Sequence, residues 1–348
     1  MSGKVLSMKV TVMKNLFGIV LFYIAAGLAM NVPAHASVSY EQRADVKEFI
    51  DEMVREHGFD RADLMSKFAR AKKLDSILES IARPAEKRLS WKQYRPIFVT
   101  KKRSDRGRAF IQKHRETLER AEKEYGVPAE IIAAIIGVET YYGRQTGGHI
   151  VFDSLTTLGF DYPPRSKFFK SELKQFLLLS KEENISVDDM TGSYAGAMGM
   201  PQFISSSYRR YAVDFDGDGK RDLWHSVPDV IGSVANYFSE HGWQKGKSVT
   251  HPVTVSDASV VRKKNKLKPY VTISQLKKQG VSLDFLDEAH KLNNEQLDSE
   301  QMATLLKFEG KRGDEYWIGL KNFYVITRYN HSELYAMAVF QLSEKLKN

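Results

Sequence analysis

Among the carboxylates of this chain, Glu139 stands where acid chemistry could be built. It follows eight apolar or small residues, Ile131-Ile132-Ala133-Ala134-Ile135-Ile136-Gly137-Val138, and precedes Tyr141, Tyr142 and Gly143. An apolar run without alternation, opened by Val127-Pro128-Ala129-Glu130, reads as a helix buried on all sides, with Gly143 as its stop. In the last turn of such a helix, apolar surroundings and the negative end of the helix dipole both push a carboxyl toward its neutral form. A carboxylic acid still protonated near neutral pH is the general acid that glycosidic cleavage requires. The neighbouring tyrosines suit the lip of a cleft, where an aromatic face packs on a sugar ring. The competing reading is a helix-terminal ion pair with Arg144; on position alone that is the commoner outcome.

A second acidic group points to a metal. Asp214-Phe215-Asp216-Gly217-Asp218-Gly219-Lys220-Arg221-Asp222 matches the first nine positions of an EF-hand loop. Carboxylates fall at positions 1, 3, 5 and 9, glycine at 6, and Lys220 at the backbone-carbonyl position 7. The loop departs at position 12, where His225 replaces the usual glutamate. Calcium is the ion such a string suits, and a solvated acidic turn is the alternative. Glycosidic cleavage needs no metal, so the role would be structural and catalysis would need no cofactor. Other chemistries are excluded. With Cys 0 there are no thiolate metal sites, disulfides or cysteine nucleophiles. Gly192, Gly196 and Gly199 lack GxGxxG spacing, a preceding strand and a following Lys-Ser/Thr, so no nucleotide site is read.

The elements that must position these groups are mostly helical. Val46, Phe49, Ile50, Met53 and Val54 mark one helix face in a helical stretch from Glu41 to about Arg88. Further helices are expected at about 104–125, 167–183, 229–241 and 332–346. Short strands are expected at Pro252–Val255, Tyr270–Ile273 and Tyr316–Leu320. The fold class is therefore mainly α. A helical N-terminal region (37–103) precedes a core domain (104–245, with the acidic loop at 214–229). A small α+β insertion (246–321) then precedes C-terminal helices (322–348) that return to the core. Residues 1–36 read as a signal peptide: Lys4, Lys9 and Lys14, an apolar stretch Leu16–Met30, then Ala34-His35-Ala36 before Ser37. An uncleaved membrane anchor is the alternative. That segment holds three of the 52 Lys+Arg and none of the 43 Asp+Glu, so the rest of the chain carries a net charge of +6. A basic exported protein meets anionic wall polymer rather than nucleic acid.

Three stretches carry a resemblance. Ile135-Ile136-Gly137-Val138-Glu139-Thr140 with Gly143-Arg144, Gly192-Ser193-Tyr194-Ala195-Gly196-Ala197-Met198-Gly199-Met200-Pro201-Gln202-Phe203, and Ile231-Gly232-Ser233-Val234-Ala235-Asn236-Tyr237-Phe238 resemble the motifs of the membrane-bound lytic transglycosylase B family. The likeness runs in the same order from about Trp91 to Phe340. It implies a lysozyme-like core in which Glu139 alone cleaves between N-acetylmuramic acid and N-acetylglucosamine of peptidoglycan, leaving a 1,6-anhydro end. With no cysteine to carry a lipid, a soluble, non-lipidated periplasmic form is expected. By position, Tyr94, Ser193, Met198, Gln202, Phe203, Tyr237, Tyr329, Asn330 and Tyr335 would line the cleft. Arg165 follows Tyr162-Pro163-Pro164, where Pro164 takes the place of one of the family's paired arginines. In the acidic loop the family closes with a later aspartate, here Asp229 after one extra residue. Peptidoglycan glycan strands are the implied partner, with cell-wall synthesis or remodelling proteins as further ones, and the chain is expected to be a monomer. Two other readings stay open: a hydrolytic muramidase using Asp153 or Asp161 as base, and a non-catalytic wall-binding protein.

Overall fold

The computed structural model describes residues 39–82, 89–262, 264–283 and 297–347. The expected signal peptide at 1–36 lies outside them, as does 83–88, the end of the first helical stretch. Among the described residues no helix is long and apolar enough to cross a membrane.

The N-terminal stretch forms α1 (Ala44–His57), α2 (Arg61–Arg70) and α3 (Asp75–Ile81), with Val46, Phe49, Ile50 and Met53 buried along α1. A further helix, α4 (Trp91–Phe98), is not expected from the sequence, because Pro96 lies inside it. Its signal is the capping box made by Ser90 and Gln93, whose side chains satisfy each other's backbone donors. The single helix expected at 104–125 is two, α5 (Lys101–Lys113) and α6 (Arg115–Tyr125), broken at His114. Next come α7 (Ala129–Thr140), β1 (His149–Ile150), α8 (Val151–Asp161), α9 (Ser166–Glu183) and β2 (Thr191–Gly192). Short α10 (Ser205–Tyr211) and α11 (Val227–Glu240) follow; Ser226 caps α11 by accepting from the Asp229 N–H.

The N-terminal helices dock on α8 through side-chain anchors. Arg43 pairs with Asp161 at 2.8 Å and donates to the Phe160 carbonyl, while the Tyr40 hydroxyl also donates to Asp161. The Lys72 N–H donates to Asp153 at 3.0 Å and the Leu74 N–H to Thr157 at 3.0 Å.

Beyond α11 an antiparallel sheet runs in the order β4-β6-β7-β3-β5, formed by β3 (Thr250–Val255), β4 (Val271–Thr272), β5 (Val281–Ser282), β6 (Met302–Gly310) and β7 (Gly313–Gly319). The chain turns into α12 (Ile273–Lys278) where the sequence suggests strand, because Thr272 and Gln275 form another capping box. The longest strand among the described residues, β6, is absent from the strands expected. Its Ala303 and Leu305 face a small core with Val253, Ile273 and Ile318, whereas Leu306 and Phe308 join the main core. A strand buried on both faces shows no apolar/polar alternation. Phe308 meets Trp91 of α4 at 5.4 Å, which seats the sheet on the helical body. The chain closes with α13 (Lys321–Tyr329) and α14 (Glu333–Glu344).

Candidate active site

The site is built on the end of α7. Of the 12 residues of this helix only Glu130 and Glu139 are not buried. Glu139 therefore reaches the surface through an otherwise solid apolar element. The helix ends at Thr140, earlier than Gly143, and the chain then turns left-handed three times, at Tyr141 (φ 53°), Tyr142 (φ 60°) and Gly143 (φ 80°). Left-handed backbone costs about 1–2 kcal/mol for each non-glycine residue, so something must hold it. The Tyr141 and Tyr142 N–H groups bond back to Gly137 and Ile136 carbonyls, both at 3.2 Å. Thr140 Oγ1 donates to the Met200 carbonyl at 2.9 Å and accepts from the Gly143 N–H at 3.0 Å.

Tyr142 supplies the remaining anchor and corrects the sequence reading. Its ring is no cleft lip. It fills a slot between α5 and α7, where a Cβ on Gly107 or Gly137 would sit 2.2 or 2.6 Å from its side chain. Its hydroxyl is buried without a hydrogen-bond partner, and burial pushes the phenol well above its ordinary range.

The field at the helix end also differs from expectation. Arg103 of α5 donates to the Gly137 carbonyl at 2.9 Å, so a cation caps the negative end of the helix. Arg144 is exposed.

Opposite Glu139 stands Tyr335, near the start of α14. Its hydroxyl donates to Glu139 Oε1 at 2.6 Å. Burial and the charge of Glu139 raise the phenol well above its ordinary range, so the proton stays on Tyr335 and the hydroxyl acts as donor. Tyr335 lies nearly parallel to Tyr329 (6.4 Å, 10°), which contacts Phe203 at 5.8 Å and Tyr237 at 4.8 Å. Hydroxyl bonds fix two of these rings: Tyr329 to the Pro201 carbonyl and Tyr237 to the Arg328 carbonyl, both at 2.6 Å.

The glycine-rich stretch closes the other wall. Met198 and Phe203 exchange backbone hydrogen bonds at 2.8 and 3.1 Å, and Ser193 Oγ accepts from the Ala197 N–H at 3.1 Å. Gln202 takes a left-handed φ of 53°, and its amide donates to the Thr146 and Gly199 carbonyls at 2.9 Å. Gly199 cannot be replaced, because its φ is 66° and a Cβ would lie 2.4 Å from the Leu223 carbonyl.

In the acidic loop, carboxylate oxygens of Asp214, Asp216 and Asp229 lie within 4.8 Å of one another. Asp229 is fully buried, and burial raises its carboxyl above the ordinary range even though it accepts N–H bonds from Phe215 (2.7 Å) and Asp222 (2.8 Å). Three carboxylates this close repel unless a cation joins them, and their all-oxygen donor set suits a hard divalent ion. The extra residue before Asp229 does not keep it from the group. Asp218 is outside the trio; its carboxylate accepts from the Lys220 N–H at 2.9 Å. Asp222 caps the Trp224 and His225 N–H groups at 2.8 and 2.9 Å.

A family model described as "Transglycosylase SLT domain" matches residues 41–344. The chain belongs to the SLT transglycosylase family. It is 42% identical over 314 residues to membrane-bound lytic murein transglycosylase B of Escherichia coli K12, covering 88% of this chain and 83% of that protein. Among solved structures, soluble lytic transglycosylase SltB1 from Pseudomonas aeruginosa superposes with a TM-score of 0.80 at 49% identity, over 87% of this chain and 98% of that one. Escherichia coli lytic transglycosylase Slt35, solved in complex with calcium, gives 0.78 at 43% identity over 86% and 92%. The helical body with its small sheet is thus the lysozyme-like fold of lytic transglycosylases.

Within this transglycosylase, Tyr335 bonds to Glu139, and ring contacts continue from it to Tyr329, Tyr237 and Phe203. Tyr94 is buried in α4, and Asn330 caps the end of α13. Arg165 is exposed and stacks over Phe168 at 4.2 Å. Sequence reasoning misses Arg103, Thr140 as a clamp, and the Gly107–Gly137 slot. The only local hint is glycine inside two helices.

Proposed function

We propose that Glu139 carries both proton transfers of a lytic transglycosylase reaction on peptidoglycan. Its carboxyl protonates the oxygen leaving C1 of N-acetylmuramic acid, and the C1–O bond breaks. The resulting carboxylate then takes the proton of the same sugar's 6-hydroxyl as that oxygen bonds to C1, so no water is consumed. The observation that carries this reading is the Tyr335–Glu139 hydrogen bond at the mouth of a buried helix, facing a wall of fixed aromatics. Tyr335 can donate to either form of the carboxyl and binds the ionised one more strongly, which is the form needed in the second half of the cycle. Ser193, Met198, Gln202, Phe203, Tyr94, Tyr237, Tyr329 and Asn330 would line the sugar path.

The muramidase alternative finds little support. Both candidate second carboxylates, Asp153 and Asp161, are engaged in docking the N-terminal helices. Burial pushes the Asp153 carboxyl up, as in a catalytic acid, yet its partner is the Lys72 backbone.

Asp214, Asp216 and Asp229 would hold calcium, which ties the 214–222 loop to the start of α11. Secretion to the periplasm is the setting consistent with this substrate. Mass spectrometry of peptidoglycan digests tests the reaction. The wild type and the Asp153→Asn and Asp161→Asn variants should yield 1,6-anhydro ends, one water lighter than reducing ends. Glu139→Gln should lose cleavage by about 10⁴-fold. Reducing ends from the wild type, or undiminished cleavage by Glu139→Gln, would refute the mechanism.

A further inference from the structure

The start of α5 is built against its own stability. Lys101, Lys102 and Arg103 occupy its first turn, where the helix dipole is positive, and no acid accompanies them there. Arg106 and Arg108 follow one turn on. The single acid of this helix, Asp105, is taken by Lys101 at 2.8 Å and by Arg108. Arg103 and Arg106 are half-buried, and neither is in an ion pair among the described residues. Both guanidinium groups lie over one ring, Tyr141, at 5.0 and 4.8 Å from its centroid. Arg103 Nε is buried with no hydrogen-bond partner. Two cations gathered over one ring, with Arg106 in no ion pair among the described residues, make a place for an anion with paired oxygens.

The place adjoins the reaction centre. Tyr141 follows Glu139 by two residues, and Arg103 is fastened to the Gly137 carbonyl of the same helix. Arg103 also stacks on Phe98 at 5.1 Å, and Phe98 contacts Tyr94 at 4.9 Å. Ile97 beside it is among the large apolar side chains left exposed. A strip of cations, aromatic faces and exposed aliphatic surface beside the end of α7 fits a short peptide bearing carboxylates.

We propose that Arg103, Arg106 and Tyr141 form a subsite for carboxylates of the peptide stems carried by the glycan strand that Glu139 cleaves. This rests on the transglycosylase reading above. It assigns stem recognition to the α5–α7 junction.

The test compares kcat/KM on glycan strands that keep their stems with strands stripped of them. The wild type should favour the stem-bearing strands, and Arg106→Gln should reduce that preference about tenfold, through KM rather than kcat. Arg106→Lys should recover part of the preference, because the charge stays while the fork is lost. A measurement on the wild type alone guards against misfolded variants: the free stem peptide should inhibit, and its fully amidated form should not. An unchanged preference in Arg106→Gln, or equal inhibition by both peptides, overturns the subsite. So does loss of binding to phosphatidylglycerol vesicles with the preference intact, which would assign the cations to a membrane. Absence of cleavage on either strand by the wild type would instead sink the transglycosylase reading itself.

Discussion

Replacing Tyr335 by phenylalanine isolates the bond on which the catalytic reading depends. The substitution removes one oxygen, whose 2.6 Å bond to Glu139 Oε1 is a hydroxyl donating to a carboxylate. Hydrogen bonds to charged groups contribute about 1.5–3 kcal/mol, which converts to a rate factor of roughly 10- to 150-fold. The lower half of that range is expected here. Glu139 is only half-buried, so water can replace part of the lost donor, and the ring keeps its packing against Tyr329. The expected result is a fall in kcat of about 10- to 30-fold with KM little changed. The product should still be the 1,6-anhydro end, since the carboxyl itself remains. The assay is the initial rate of muropeptide release from purified sacculi, with a melting curve on each protein to exclude unfolding. A kcat within threefold of wild type, or a loss residing wholly in KM, would show that Tyr335 does not hold the reacting carboxyl.

Calcium in hundredfold excess over its Kd should stabilise the protein by about 2.7 kcal/mol relative to chelator, by mass action. Differential scanning calorimetry should show that gain in the wild type and not in Asp229→Asn, and a gain of equal size in both would disprove the site. Tyr142→Phe removes a buried hydroxyl that has no partner, so it should raise stability by about 1 kcal/mol in urea titration with full activity. Gly137→Ala puts a Cβ 2.6 Å from the same ring and should cost about 1–3 kcal/mol; a neutral or stabilising result would mean the slot is loose. N-terminal sequencing of the exported protein should begin near Ser37, and a retained Met1 would contradict cleavage.

Much of the catalytic half is legible in the amino-acid order alone, because its signals are local. An apolar run too long to alternate has to be a buried helix, and a lone acid at its end has to surface or be neutralised. Glu139 follows from that. Glycines at 192, 196 and 199 announce a loop that bends tightly, and Asp214, Asp216 and Gly217 announce a turn that gathers oxygens. Elements of the fold escape where the local rule is masked. Pro96 hides α4 despite its capping box, and β6 is hidden because both its faces are buried.

The rest is decided by residues far apart in the chain. Nothing near Glu139 in the sequence specifies Tyr335, which lies 196 residues away and meets it only because α14 packs along α7. The same is true of Arg103, whose guanidinium caps α7 from a neighbouring helix and offsets a helix-end field that the sequence alone assigns to Glu139 in full. Tyr142 looks like a cleft residue in the sequence, between Glu139 and a glycine. It turns inward because Gly107, 35 positions earlier, leaves a space that only an aromatic ring fills. Asp229 completes the acidic trio although the spacing leaves its place open, since the start of α11 delivers it from the far side of the loop. Local patterns report what a segment buries. Which partner meets each exposed functional atom is set by packing between helices, and packing of that kind has no period along the chain.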